Sequence, residues 1–131
     1  MKKYGLLTLV LIFFLSLVSC KKGPGLGGEA SISGKVRGVV YDKSFTKILD
    51  SSSIANWTMC IIYGSDLEVD GTQKTTYDGT FDFQYLREGQ YTVYTYSRSH
   101  LTNLADSAVA VNINISGKKQ SYVIPDLVIY R

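Results

Sequence analysis

The segment Val109-Ala110-Val111-Asn112-Ile113-Asn114-Ile115 alternates aliphatic with small or polar side chains without a break. Successive side chains of a β-strand point to opposite faces, so Val109, Val111, Ile113 and Ile115 share one face while Asn112 and Asn114 share the other. Such a strand buries a single face, and a second layer has to cover it.

The same signals recur along most of the chain. From Ala30 onward Val, Ile, Thr and Tyr dominate, punctuated by Gly, Asp and Asn, which is strand chemistry between turns. Strands are expected over 32–41, 57–63, 67–75, 91–97 and 109–115. Two more flank these, one after Asp78-Gly79 and one from Gln120. Asp78-Gly79 and Gly117-Lys118 each predict a hairpin, and a turn at Arg87-Glu88-Gly89-Gln90 launches the strand at Tyr91. In the last strand Pro125 shifts the apolar parity from Tyr122 and Ile124 to Leu127 and Ile129, which a bulge or an edge position explains. The expectation is an all-β, seven-stranded sandwich.

One stretch departs from this pattern. Residues 42–56 place Phe45, Ile48 and Leu49 at helical spacing after Ser44, and read as a long loop with one helical turn. The strand after it is apolar on both faces, with Met59 and Ile61 on one side and Cys60 and Ile62 on the other, so the loop is expected to cover the second face.

The N-terminus has a different chemistry. Met1-Lys2-Lys3 precedes an apolar run that ends in Leu17-Val18-Ser19-Cys20, an order that looks like a bacterial lipoprotein signal cleaved before Cys20. The run from 4 to 18 is shorter than the ~20 residues of a membrane-spanning helix. Residues 1–19 are therefore expected to be a signal peptide, with 20–29 a lipidated Cys20 and flexible glycine-rich tether, and 30–131 one folded domain. Several acyl chains on one cysteine anchor durably. Lys21 follows Cys20 where an inner-membrane retention signal would place Asp, which suits the outer membrane. The face of that membrane stays open.

With the signal removed, Lys2 and Lys3 go with it and the domain is nearly neutral. A neutral surface lacks the basic stripe that nucleic-acid binding needs. Cys60 is left with no disulfide partner and reads as a small buried hydrophobe.

Candidate sites are few. The single histidine, His100, lies in polar Ser97-Arg98-Ser99-His100, and a small hydrolase would have to recruit it with Asp106 and Ser107. Zinc finds no ligand set and no cofactor is expected. Asp66, Glu68 and Asp70 alternate near Gly64 and Gly71, donors that calcium accepts, but the spacing fits no EF-hand loop and alternation more simply marks a solvent face. The sequence has ten tyrosines. With Tyr91 and Val93 pointing inward, Thr92, Tyr94 and Tyr96 form an outward ladder. Rings with polar tips suit a sugar or a peptide, and cross-strand packing is the plainer alternative.

Three motifs carry a resemblance. They are Gly34-Lys35-Val36 in the opening strand, Asp78-Gly79 followed by Phe81, and Leu86-Arg87-Glu88-Gly89-Gln90-Tyr91-Thr92-Val93. Through them, residues 30–131 resemble carboxypeptidase regulatory-like domains, which are transthyretin-like (prealbumin-like) β-sandwiches. The resemblance implies a non-catalytic folding or docking module and carries over no catalytic residue. The sequence reading is thus a non-enzymatic lipoprotein of the cell envelope that binds a partner protein or glycan. A purely structural envelope protein is the alternative, and a small hydrolase a more distant one.

Overall fold

The computed structural model describes residues 22–98 and 106–131. The expected signal peptide, the Leu17-Val18-Ser19-Cys20 motif and His100 lie outside the described residues. Among those described there is no helix; the strands are β1 (Leu26–Tyr41), β2 (Ile48–Ser53), β3 (Thr58–Tyr63), β4 (Gly71–Lys74), β5 (Thr80–Leu86), β6 (Gly89–Arg98), β7 (Asp106–Ile115), β8 (Ser121–Val123) and β9 (Leu127–Tyr130).

They form two sheets. In the first, the long β1 is central. Its first half pairs with β5 antiparallel and β8 parallel, and its second half with β2 antiparallel and β9 parallel. The second sheet runs β4-β3-β6-β7, antiparallel throughout. The two inner faces share one core, with Ile32, Val36, Phe81 and Ile129 from the first sheet against Met59, Ile61, Val93 and Ile115 from the second. This is an all-β sandwich. Inward Ile113 and Ile115 are buried and Val109 and Val111 pack half-buried against the core, following the alternation of that strand.

Among the described residues nine strands replace the seven expected, for two reasons. Residues 42–56 hold no helical turn. Instead Asp42 organises a hairpin loop, accepting bonds from Thr46 N (2.9 Å), Lys47 N (3.2 Å) and the Ser44 hydroxyl (2.6 Å), and these bonds hold its carboxyl below the usual carboxylate range. The loop returns as β2; Phe45 in the loop and Ile48 and Leu49 at the start of β2 are exposed and do not cover β3. The second difference is the break at Pro125, which divides the last strand into β8 and β9 where the apolar parity slips.

Both predicted hairpins are turns between sheets. After Asp78-Gly79, β5 joins β1 while β4 stays with β3, and after Gly117-Lys118, β8 joins β1 while β7 stays with β6. Residues 64–70 form a loop and not the start of a strand, so the Asp66, Glu68 and Asp70 alternation is not a strand face. Asp70 accepts from Tyr63 N at 2.7 Å, and no cluster of metal-ligating side chains occurs among the described residues.

The glycine-rich segment is not a free tether where it is described. Gly25 is buried, and its N–H donates to the Tyr91 hydroxyl at 2.8 Å while its carbonyl accepts from Arg87 N at 2.9 Å. The Tyr91 hydroxyl donates in turn to Arg87 O at 2.7 Å. The Leu-x-x-Gly-x-Tyr-x-Val motif has a physical role here. Leu86, Tyr91 and Val93 fill the core, while Gly89 at φ 144° lies against Pro24, which a Cβ would meet at 2.7 Å. Gly34 pairs directly with Phe81; a Cβ there would sit 2.8 Å from the Phe81 ring, so the glycine makes room for the aromatic that follows Asp-Gly.

Candidate functional sites on the two outer faces

The expected tyrosine ladder lies on the outer face of β6. Opposite Thr92, Tyr94 and Tyr96, the inner positions Tyr91, Val93, Thr95 and Ser97 are all buried. The inner polar pair is satisfied: Thr95 Oγ1 accepts from Trp57 Nε1 at 2.8 Å and donates to Thr58 O at 2.7 Å, while Ser97 Oγ accepts from Tyr130 N at 2.8 Å.

The three ladder residues are not equivalent. Tyr96 is 50% exposed but Tyr94 only 9%, and Thr92 is half-buried with its hydroxyl 2.8 Å from Asn112 Oδ1. Tyr94 is the cross-strand partner of Cys60, itself buried. Its ring meets Tyr96 edge-on with centroids 5.6 Å apart. Thus Tyr94, rather than the 42–56 loop, lies beside Cys60 on the second face of β3. Loss of water, then the Tyr96 hydroxyl and Cys60, push the Tyr94 hydroxyl up to about 12. Ala108 and Ala110 stand opposite Tyr96 and Tyr94 on β7. The open part of this face is therefore Tyr96 with small neighbours.

A second surface lies on the outer face of the first sheet. Inward Ala30 and Ile32 alternate with outward Ser31, Ser33 and Lys35 on β1. Inward Phe81 likewise alternates with Thr80 and Asp82 on β5, and Tyr122 with Ser121 on β8. Because β1 lies between β5 and β8, these side chains line one trough of about 540 Å³. Its rims are fixed by polar contacts. The Ser31 and Ser121 hydroxyls are 3.1 Å apart, and Gln73 Oε1 accepts from Asp82 N at 3.2 Å, tying β4 to the edge of β5. Asp126 and Thr76 close the trough at its margins. Tyr77, next to Thr76, is 90% exposed. At that turn Asp78 Oδ1 accepts from the Thr76 hydroxyl and, at 2.9 Å, from the Thr80 hydroxyl. These bonds hold its carboxyl below the usual range.

Sequence reasoning passed over the trough. The alternation in Ala30-Ser31-Ile32-Ser33 shows a polar outer face, but its concavity depends on parallel pairing between β1 and β8, about ninety positions apart, and no local signal carries that.

No family model matches the chain, and no curated protein matches it. Among solved structures it is similar to a candidate carbohydrate-binding protein from Pseudomonas aeruginosa, at 14% identity over 82% of this chain and 91% of that one, with a TM-score of 0.47. It is also similar to an (S)-allantoin synthase at 13% identity and a TM-score of 0.47, covering 79% of this chain and 42% of that one. At this overlap the likeness assigns neither a ligand nor an activity.

Proposed function

We propose that this chain is a non-enzymatic, lipid-anchored protein of the cell envelope whose ligand is a glycan bound in the trough on the outer face of the first sheet. The trough carries this reading. Each sugar hydroxyl donates one hydrogen bond and accepts up to two, and the trough offers both kinds of partner: the Ser31, Ser33, Thr80 and Ser121 hydroxyls, the Asp82 and Asp126 carboxylates and the Lys35 ammonium. Its volume of about 540 Å³ lies within the span of small-ligand sites. Exposed Tyr77, which follows the lining residue Thr76 in the chain, is an aromatic ring of the kind that suits a sugar.

Anchoring through lipid on Cys20 and an outer-membrane location belong to the same proposal, supported by the Leu17-Val18-Ser19-Cys20 motif and Lys21. So does the assignment to carboxypeptidase regulatory-like, transthyretin-like sandwiches, supported by the contacts of Gly34 with Phe81 and of Tyr91 with Arg87. The absence of a catalytic role rests on the sequence: a Ser-His hydrolase would have to use His100, the single histidine.

The test is a glycan array and calorimetry on soluble protein beginning at Lys22. Ser33→Trp fills the trough and should weaken the best ligand at least tenfold, about 1.4 kcal/mol, while leaving the melting temperature near that of the parent. An array with no ligand, or binding indifferent to Ser33→Trp, refutes the glycan reading. Capture of an envelope protein lost with Tyr96→Ser would favour a protein partner on the other sheet.

A further inference from the structure

We infer that residues 23–25 are a short strap that holds one end of the sandwich against the bilayer, so that a phospholipid surface is the partner of that end. This rests on the lipid-anchor reading and deepens it. The strap is seated at several points. Gly25 bonds Tyr91 and Arg87 through its backbone, and Arg87 Nε donates to Gly23 O at 2.9 Å. Pro24 fits between two turns: a Cβ on Gly89 would lie 2.7 Å from it and one on Gly64 3.3 Å.

Chain length then fixes the distance to the membrane. Cys20 precedes Gly23 by three residues, which span at most about 11 Å. A free tether from Cys20 to Glu29 would reach about 30 Å. With its first seat at Gly23, the domain is confined to the bilayer surface.

The topology says which end faces the lipid. Gly64 N donates to Gln90 O at 2.8 Å, which brings the 64–70 loop to Pro24, and Gly89 pairs with Ile115, which brings the 116–120 turn to the same end. Leu67 in that loop is 97% exposed, an apolar side chain where a head-group region would receive it. The charges there are mixed, Lys22, Arg87, Lys118 and Lys119 with Asp66, Glu68 and Glu88, and Lys119 pairs with Glu29 at 3.3 Å. Such a surface suits a largely zwitterionic bilayer. β4 runs away from this end, from Gly71 opposite Ile61 to Lys74 opposite Thr58, so Tyr77 lies beyond its far end. The length of β3 alone separates the two ends by about 17 Å.

The experiment uses the full-length lipidated protein in vesicles of phosphatidylethanolamine with a minor share of phosphatidylglycerol. A fluorophore is placed at Leu67→Cys or at Tyr77→Cys, with Cys60 buried, and a quencher is carried on the lipid head groups. The label at 67 should be quenched several-fold more than the label at 77. A Gly/Ser insertion of about ten residues between Lys22 and Gly23 leaves the seat intact, restores reach and should bring the two labels to equal quenching. Equal quenching without the insertion, in protein that floats with vesicles, leaves the anchor standing and overturns the strap. A difference that survives the insertion also overturns it, because surface attraction and not chain length would then set the orientation. Protein that neither incorporates labelled palmitate nor floats with vesicles overturns the anchor itself and the strap with it.

Discussion

Tyr91→Phe removes one oxygen from the centre of the corner where the N-terminal segment, the β5–β6 turn and the core meet. The ring stays in a site that is almost wholly buried, so packing is conserved and the loss is polar. Gly25 N–H is left in a buried position without its 2.8 Å acceptor, at a cost of about 1–3 kcal/mol for an unsatisfied buried donor. Arg87 O loses its 2.7 Å donor but keeps some access to water, which makes that part about 0.5–1.5 kcal/mol. The sum, about 1.5–4.5 kcal/mol, is a large share of the stability of a domain this size, and corresponds to a fall in melting temperature of roughly 6 °C or more. Urea and thermal melts of soluble protein from Lys22 measure it, with hydrogen exchange at the Gly25 amide as the local readout. A variant within about 0.5 kcal/mol of the parent, with Gly25 exchange unchanged, would show that the corner is not held by this hydroxyl.

The two ladder tyrosines should separate under mutation: Tyr94→Ser is expected to cost about 2–4 kcal/mol as a large-to-small change beside Cys60, whereas Tyr96→Ser should cost about 1 kcal/mol or less, chiefly the edge-on ring contact. Chemical denaturation of the two variants checks this, and equal losses would contradict the difference in their cover. Alkaline pH provides a third prediction. The folded Tyr94 pKa of about 12 lies above the ordinary value of 10.0, so the folded state binds the proton more tightly. The stabilisation is complete below pH 10 and declines as pH rises toward 12. Tyr94→Phe should lose less stability between pH 9 and 12 than the parent does; identical pH profiles would refute the assignment.

Much of the fold was legible residue by residue. Val109, Val111, Ile113 and Ile115, and Tyr91 with Val93, face the core because period-two alternation fixes the face of a strand without reference to its partner. Pairing was not legible in the same way. Asp78-Gly79 announces a reversal of the chain, yet whether the strand after it returns to its own sheet or crosses to the other depends on contacts distant in sequence. β2 escaped notice because Asp50-Ser51-Ser52-Ser53 has no apolar period; it is held by backbone bonds to the second half of β1. The apolar second face around Cys60 and the surplus of tyrosines were two separate observations in the sequence. In the structure they are a single contact, Tyr94 beside Cys60, made by cross-strand register. The trough needed the most distant information of all, since Ser31 meets Ser121 only after β8 has come to lie beside β1.

On the proposed function, a glycan binds on the outer face of the first sheet. Amide chemical-shift mapping of the soluble protein, titrated with the best glycan from the array, tests it most directly. Shifts should concentrate at Ser31, Ser33, Thr80, Asp82 and Ser121, with Tyr96, Ala108 and Ala110 unmoved. Shifts concentrated around Tyr96 and the two alanines, with the trough silent, would contradict it.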